Sequence, residues 1–214
     1  MSTSGHNGQE SNHFKGLTMA KNVKQGMIID AALEVFREKG YANARMADIA
    51  RRAGVSYGLV YHYFGSKEVL FEIIVESWWN DLYTMMDREI NADSPTRDKL
   101  VNIIEFFLDT YGQKPNLMSI FVSEVCRSSV YHTEEGLSRF LKFFSLCEQI
   151  MLQGQESGFL SREVPPHHLT YIFYGAIETF ITVMVLGKEP MTRKRQERAM
   201  NAILHVFTDG ARAR

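Results

Sequence analysis

Hydrophobic residues recur every three to four positions along most of the chain, which is the period of an amphipathic helix and not of a strand. Short polar or proline-containing breakers separate these segments, among them Asp93-Ser94-Pro95, Lys114-Pro115-Asn116 and Val164-Pro165-Pro166. The first helix is predicted from about Asn22 to Lys39, and the fourth runs from Ser66 to about Ile90. The pattern therefore predicts an all-α fold of about nine helices.

The most informative segment contains two short helices around a glycine. In the first of them, Ile49, Ala50 and Ala53 share one face at the helical period. Gly54 follows at the point where a left-handed residue ends a helix. Ser56 then offers its hydroxyl to the free N–H groups at the start of the second helix. This pattern predicts a helix-turn-helix, whose second helix enters the major groove of DNA.

Motifs on both sides of the turn sharpen this prediction. In chain order the motifs are Gly40-Tyr41, Ile49-Ala50, Ala53-Gly54-Val55-Ser56, Tyr61-His62-Tyr63-Phe64 and Ser66-Lys67-Glu68. On these motifs the chain resembles the TetR family of bacterial regulators over about Gly26 to Leu70. The resemblance implies an N-terminal three-helix DNA-binding domain, followed by a C-terminal helical domain that binds an effector and dimerises.

The resemblance also implies which residues contact DNA. The predicted DNA-binding residues are Arg45, Met46, Ser56, Tyr57, Gly58, Tyr61, His62 and Lys67. Arg45 departs from the family pattern, which usually has a threonine cap at this position. Either the cap is lost, at a cost of about 1 kcal/mol, or Arg45 contacts a phosphate or the minor groove. We favour the second interpretation, because counterion release favours a cation beside DNA.

Charge is unevenly distributed along the chain. The 214 residues have a net charge of −1 and a hydrophobic content of 45%. Residues 1–67 carry nine Lys/Arg against five Asp/Glu, a net charge of +4, whereas residues 68–214 carry fifteen against twenty, a net charge of −5. We therefore expect a basic DNA-binding domain over 23–67 and an effector-binding and dimerisation domain over 68–214. Residues 1–22 are predicted to be a disordered tail, within which Met19 is an alternative start.

Cysteine content and the N-terminal segment indicate the compartment. Cys126 and Cys147 are too few for a disulfide framework or a metal site, and residues 1–22 contain no apolar signal segment. We expect a cytoplasmic protein with no cofactor and no metal. Catalysis is disfavoured, because the chain shows no Gly-rich phosphate loop, no nucleophile elbow and no metal-spaced His pair.

The predicted eighth helix, His167 to Leu186, is apolar around most of its circumference. A membrane span is the less favoured interpretation, since Gly175, Glu178 and several threonines interrupt the segment. A helix buried between two protomers has the same composition. With Ile203, Leu204 and Phe207 of the ninth helix, it is expected to form the four-helix homodimer interface that the resemblance implies. Two recognition helices about 34 Å apart would then contact a palindromic site on double-stranded DNA.

The C-terminal part is rich in aromatic residues and methionine, which suit a cavity for a hydrophobic effector but also fill an ordinary core. The predicted ligand-binding residues are Phe107, Tyr111, Phe121, Glu124, Arg127, Phe144, Tyr174 and Glu178. A pairing of Glu124 with Arg127 on a solvated face is the competing explanation for those two. The segments 123–127 and 153–158 are weakly similar to family members that sense fatty acyl-CoA.

The predicted function is a ligand-responsive DNA-binding regulator. It is expected to act as a repressor that a hydrophobic small molecule, such as a fatty acyl-CoA, releases from its operator. The alternative is a helical lipid- or partner-binding module that does not bind a specific operator.

Overall fold

A computed structural model describes residues 7–125 and 134–211, with side chains described for 23–123 and 134–210. Within these ranges the chain is all-α, as predicted, with nine α-helices and one π-helical turn. The elements are α1 (Asn7–Lys39), α2 (Met46–Ala53), α3 (Tyr57–Phe64), α4 (Lys67–Asn91), α5 (Thr96–Gln113), α6 (Pro115–Ile120), the π-helical turn (Phe121–Val125), α7 (Glu134–Glu156), α8 (Pro166–Leu186) and α9 (Arg193–Ala211). The chain divides into two compact units, which we call the first and second units, between Val75 and Glu76.

The helix boundaries agree with the sequence pattern except at the N-terminus. Helix α1 begins at Asn7 and not at about Asn22. No proline occurs before Lys39, so the backbone has no residue that must stop the helix. The predicted tail, residues 1–22, overlaps α1 from Asn7 onward, and its disorder stays a prediction.

The turn between α2 and α3 has the predicted chemistry. Gly54 ends α2 with φ 66° and ψ 29°, a left-handed conformation that is costly for residues with a Cβ. The N–H of Val55 donates to the carbonyl oxygen of Ala50 at 3.1 Å, which closes the helix end. Ser56 caps α3, since its Oγ accepts a hydrogen bond from the N–H of Leu59 at 3.2 Å. The predicted turn and cap are confirmed.

The core of the first unit draws on all four of its helices. Its fully buried residues include Ile28, Ile49, Val60 and Leu70. The ring of Phe71 in α4 lies 4.5 Å from that of Tyr41, measured between centroids. Because Leu70 and Phe71 pack here, the first two turns of α4 belong to this unit, and the division falls later than the predicted domain boundary after residue 67.

The second unit packs the rest of α4 with α5 to α9. Phe173 of α8 lies 5.1 Å from Phe207 of α9 between ring centroids. The hydroxyl of Tyr111 in α5 donates to two backbone carbonyl oxygens. One belongs to Met184 near the end of α8, and the other to Glu189 just after that helix. Burial raises the pKa of the Cys147 thiol, which makes it a structural and unreactive group.

A buried polar network fixes the C-terminal half of α4 to its neighbours. The Nζ of Lys99 in α5 donates to Oε1 of Gln153 in α7 at 2.9 Å. The amide of Gln153 then donates to the carbonyl oxygen of Ile90 in α4 at 3.0 Å. Glu89 is also buried, and it accepts a hydrogen bond from Asn102 at 2.8 Å. These bonds hold α4, α5 and α7 in one register.

Candidate functional site

The exposed face of α3 carries two aromatic residues that lie outside the buried core. Tyr57 and Tyr61 are 51% and 47% exposed, and their ring centroids are 5.2 Å apart, one helical turn along the chain. Desolvation raises the pKa of Tyr57, and its hydrogen bond with Tyr61 adds to the effect, so the phenol stays protonated near neutral pH. The other predicted residues here, Ser56, Gly58 and His62, are exposed as well.

Arg45 occupies the N-cap position of α2 without acting as a cap. Its backbone is extended, with φ −122° and ψ 146°, and its side chain makes no capping hydrogen bond. The residue is exposed, and its guanidinium has no ion-pair partner among the described residues. The side-chain cap is therefore absent, as in the first of the two interpretations, whereas the favoured contact of Arg45 with DNA stays a prediction.

Two predicted DNA-binding residues have internal contacts. The Nζ of Lys67 donates to the carbonyl oxygens of Tyr41 at 2.8 Å and Ala42 at 3.3 Å. Lys67 therefore stabilises the segment after α1 and keeps only one of its three N–H donors for another partner. Met46 is 8% exposed and shares the buried face of α2 with Ile49, three residues later. Its side chain lies in the core and not on the surface that the resemblance implied.

Ion pairs inside the first unit use several of its cations. Arg52 donates to Glu34 and Glu38, both at 2.6 Å, and Lys39 pairs with Asp48 at 2.8 Å. The hydrogen bond from Lys39 lowers the pKa of Asp48, and that from Arg52 lowers the pKa of Glu38. These pairs fix α2 to α1, and they leave fewer free positive charges than the sequence count suggests.

The second unit contains an apolar cavity of about 30 Å³. The lining residues come from α4, α5, α6, the π-helical turn, α7 and α8. They are Trp78, Trp79, Phe107, Met118, Phe121, Val122, Phe140, Tyr174, Glu178 and Ile181. Four of the predicted ligand-binding residues, Phe107, Phe121, Tyr174 and Glu178, are thus brought together.

Aromatic contacts join the walls of this cavity. The ring centroid of Trp78 lies 4.1 Å from that of Phe121, and Trp79 lies 5.1 Å from Phe140. The π-helical turn supplies Phe121, and such turns often occur at functional sites because they redirect side chains out of the helical register. The turn itself was not predicted.

The cavity wall includes two tryptophans whose indole N–H groups have no acceptor among the described residues. Trp78 and Trp79 are 6% and 2% exposed, and neither indole Nε1 has a hydrogen-bond acceptor in the part of the chain that is described. Buried donors of this kind are rare and call for an explanation. Glu178, which is half-buried, adds a carboxylate to the same wall.

The remaining predicted ligand-binding residues are not brought to the cavity. The hydroxyl of Tyr111 bonds to backbone, and Phe144 packs on Tyr171 at 5.5 Å between centroids. Arg127 and the side chain of Glu124 lie outside the described residues. Sequence reasoning also missed both tryptophans. The sequence did single them out in one respect, because the chain's two tryptophans are adjacent to each other.

Helices α8 and α9 form a largely apolar groove of about 570 Å³, which Glu189, Arg195 and Arg198 also line. Val183, Leu186 and Val206 on these helices are 61%, 65% and 72% exposed. By contrast, Ile203, Leu204 and Phe207, which were predicted for the interface, are buried within the protomer. Helix α8 is long and apolar enough to cross a membrane, although the core helix of a soluble protein meets the same criterion.

Both units match known families. Residues 28–74 match the family described as "Bacterial regulatory proteins, tetR family", and residues 76–205 match "YsiA-like protein, C-terminal region". The chain is 25% identical over 170 residues to the "Fatty acid metabolism regulator protein" of Bacillus subtilis, covering 79% of this chain and 87% of that protein. It is also 25% identical over 176 residues to the "HTH-type transcriptional repressor DhaR" of a Mycobacterium species, covering 81% and 89%.

Solved structures show the same fold. The fatty acid degradation regulator FadR from Bacillus halodurans superposes with a TM-score of 0.73 at 21% identity, covering 89% of this chain and 97% of that one. FadR from Bacillus subtilis, solved in complex with stearoyl-CoA, gives a TM-score of 0.67 at 22% identity, covering 86% and 97%. The two family matches together span most of the protein, so the chain belongs to the TetR family of bacterial regulatory proteins and is a ligand-responsive, DNA-binding transcriptional regulator and not an enzyme.

Proposed function

We propose that this protein is a cytoplasmic repressor that binds a palindromic operator as a homodimer and is released by a long-chain fatty acyl-CoA. The observation that carries the proposal is the aromatic cavity of the second unit, whose wall includes two residues of α4. The similarity to the fatty acid metabolism regulator of Bacillus subtilis supports the choice of ligand. The exposed face of α3 supports the choice of DNA.

The DNA contacts are assigned to α3 and its flanks. The N-terminal residues of a recognition helix lie nearest the base edges, which assigns this role to Ser56, Tyr57 and Gly58. Tyr61 and His62, one turn later, are suited to contacts with phosphates. Arg45 adds a free cation, and the third donor of Lys67 is available to a phosphate.

The dimer interface is assigned to the α8–α9 groove. Exposed valine and leucine side chains on both helices would leave water on contact with a second copy. Arg195 and Glu189, which form an ion pair at 3.1 Å, line the same groove. Charged residues in the groove fit a protein partner better than the interior of a bilayer, so we assign this face to dimerisation and not to a membrane.

Ligand binding at the cavity would require side chains to move. A cavity of about 30 Å³ holds one or two water molecules, whereas an acyl chain is far larger. The acyl chain of the ligand must therefore displace aromatic side chains, including those on α4. Trp78 in the cavity wall and Phe71 in the core of the first unit lie on this one helix, seven residues apart along the chain. A shift of α4 would then reach the DNA-binding unit.

Fluorescence anisotropy on DNA from immediately upstream of the gene tests this proposal. We expect selective binding over scrambled DNA and an affinity at least about tenfold lower with stearoyl-CoA. Butyryl-CoA, which has the same head group without the long chain, is the matched control and should have no effect. Unchanged operator affinity with saturating stearoyl-CoA would contradict the proposed effector, because a ligand that binds both states equally shifts nothing.

A further inference from the structure

The two buried indole groups of α4 point to a more specific mode of ligand recognition. We propose that Trp78 and Trp79 donate hydrogen bonds to the uncharged carbonyl oxygen of an acyl thioester in the cavity, and that Glu178 disfavours free fatty acids at the same place. This inference rests on the proposed function, because it names the chemical group by which that effector is bound.

The two indole N–H donors are buried, and no described residue supplies an acceptor for either of them. Leaving a buried N–H without an acceptor destabilises a protein, so two such groups on consecutive residues are costly. Both residues line the cavity, and their ring centroids are only 5.2 Å apart. A ligand that brings an acceptor oxygen would satisfy one or both donors, since a carbonyl oxygen has two lone pairs.

The charge of the wall selects among acceptors. A free fatty acid would bring a carboxylate into a cavity that Glu178 already lines, and two negative charges in a poorly solvated site repel each other. A thioester carbonyl accepts the same hydrogen bonds without a charge. Phe107, Met118 and Ile181 complete the wall with apolar surface that suits the hydrocarbon chain.

The tryptophan content makes the contact directly measurable. The chain contains two tryptophans, so the protein labelled with [¹⁵N]tryptophan gives two indole N–H signals, and both report on the cavity. The probes are palmitoyl-CoA and S-hexadecyl-CoA, a thioether in which a methylene group replaces the carbonyl. We expect both to bind, a downfield indole proton shift with palmitoyl-CoA only, and about fivefold weaker binding of the thioether. Trp78→Phe and Trp79→Phe assign the signals and should reduce that difference in affinity.

Palmitate tests the role of Glu178. We expect palmitate to bind wild type more weakly than S-hexadecyl-CoA, and Glu178→Gln to raise palmitate affinity by about tenfold without changing that of the thioether. Equal shifts and equal affinities for the thioester and the thioether would overturn the carbonyl contact while the acyl effector stands. Failure of both CoA derivatives to bind would instead overturn the proposed effector, and this inference with it.

Discussion

The two units of this regulator have their proposed sites in opposite places. In the first unit, the side chains proposed to contact DNA lie on the surface of an eight-residue helix, and the core beneath them holds that helix in place. In the second, the side chains proposed to bind the ligand lie inside, where residues of six elements meet at one cavity. A residue of a surface site can be substituted with little effect on stability. A residue of an internal site cannot, because the residues that would bind the ligand also fill the core.

The largest effect is expected where ligand site and core coincide. Phe107 is 3% exposed, so Phe107→Ala should lower the free energy of unfolding of the second unit by about 4 kcal/mol. Urea unfolding followed by tryptophan fluorescence measures this unit, since both tryptophans lie in it. Leu137→Ala, at a position that is 57% exposed, is the control, and its expected change is within about 0.5 kcal/mol. A loss for Phe107→Ala no larger than that of the control would contradict an internal site that shares the core.

The second largest effect is expected on the surface of the second unit, where the proposed dimer interface can be disrupted without changing the cavity. Val183→Asp places a charge in the α8–α9 groove, and it should produce monomers whose operator affinity is about 100-fold lower, since each would hold a single half-site. Light scattering with size-exclusion chromatography gives the mass, and anisotropy gives the affinity. Leu152→Asp, on the exposed face of α7, is the matched control and should stay dimeric. A dimeric Val183→Asp protein would exclude this groove as the interface.

The surface site of the first unit should respond without loss of stability. Tyr61→Ala is expected to weaken operator binding by about 10- to 100-fold, because it removes a contact to DNA, and to leave stearoyl-CoA affinity unchanged. Anisotropy and isothermal titration calorimetry measure the two affinities. Met27→Ala, also exposed in this unit, should keep operator affinity within about twofold. If Tyr61→Ala lowered ligand affinity as well, the two sites would not be separable.

The smallest effect concerns Arg45, where function and stability should move in opposite directions. Arg45→Thr supplies the missing cap of α2 and should raise the free energy of unfolding of the first unit by about 1 kcal/mol. The same change should reduce operator affinity severalfold and lower the salt slope by about one. Hydrogen exchange at the α2 amides and anisotropy at two salt concentrations measure these changes. Unchanged affinity and salt slope would exclude a phosphate contact by Arg45.

The site of the first unit could be predicted from the sequence better than that of the second, because the first depends on local contacts and the second on long-range packing. The turn at Gly54 and the cap at Ser56 depend on neighbours within a few residues, so both can be predicted from the sequence. The cavity depends on how six distant elements pack, and composition could not distinguish Phe107, which lines it, from Tyr111, whose hydroxyl bonds to backbone one turn later. Met46 shows the same limit on a small scale, since only its buried position on α2 separates it from the exposed Arg45 beside it.

The internal ion pairs of the first unit bear on how the regulator finds its operator in a whole chromosome. Lys39, Arg51 and Arg52 are bound to carboxylates of their own chain, so these three cations contribute less to the binding of random DNA. Non-specific binding to DNA depends on such cations. Weaker non-specific binding shortens the time that the regulator spends on the vast excess of DNA that is not its operator. We therefore expect a larger unbound pool and an operator occupancy that follows the concentration of the proposed effector promptly. The carboxylates that fasten α2 to α1 would thereby also affect how quickly the regulated genes respond.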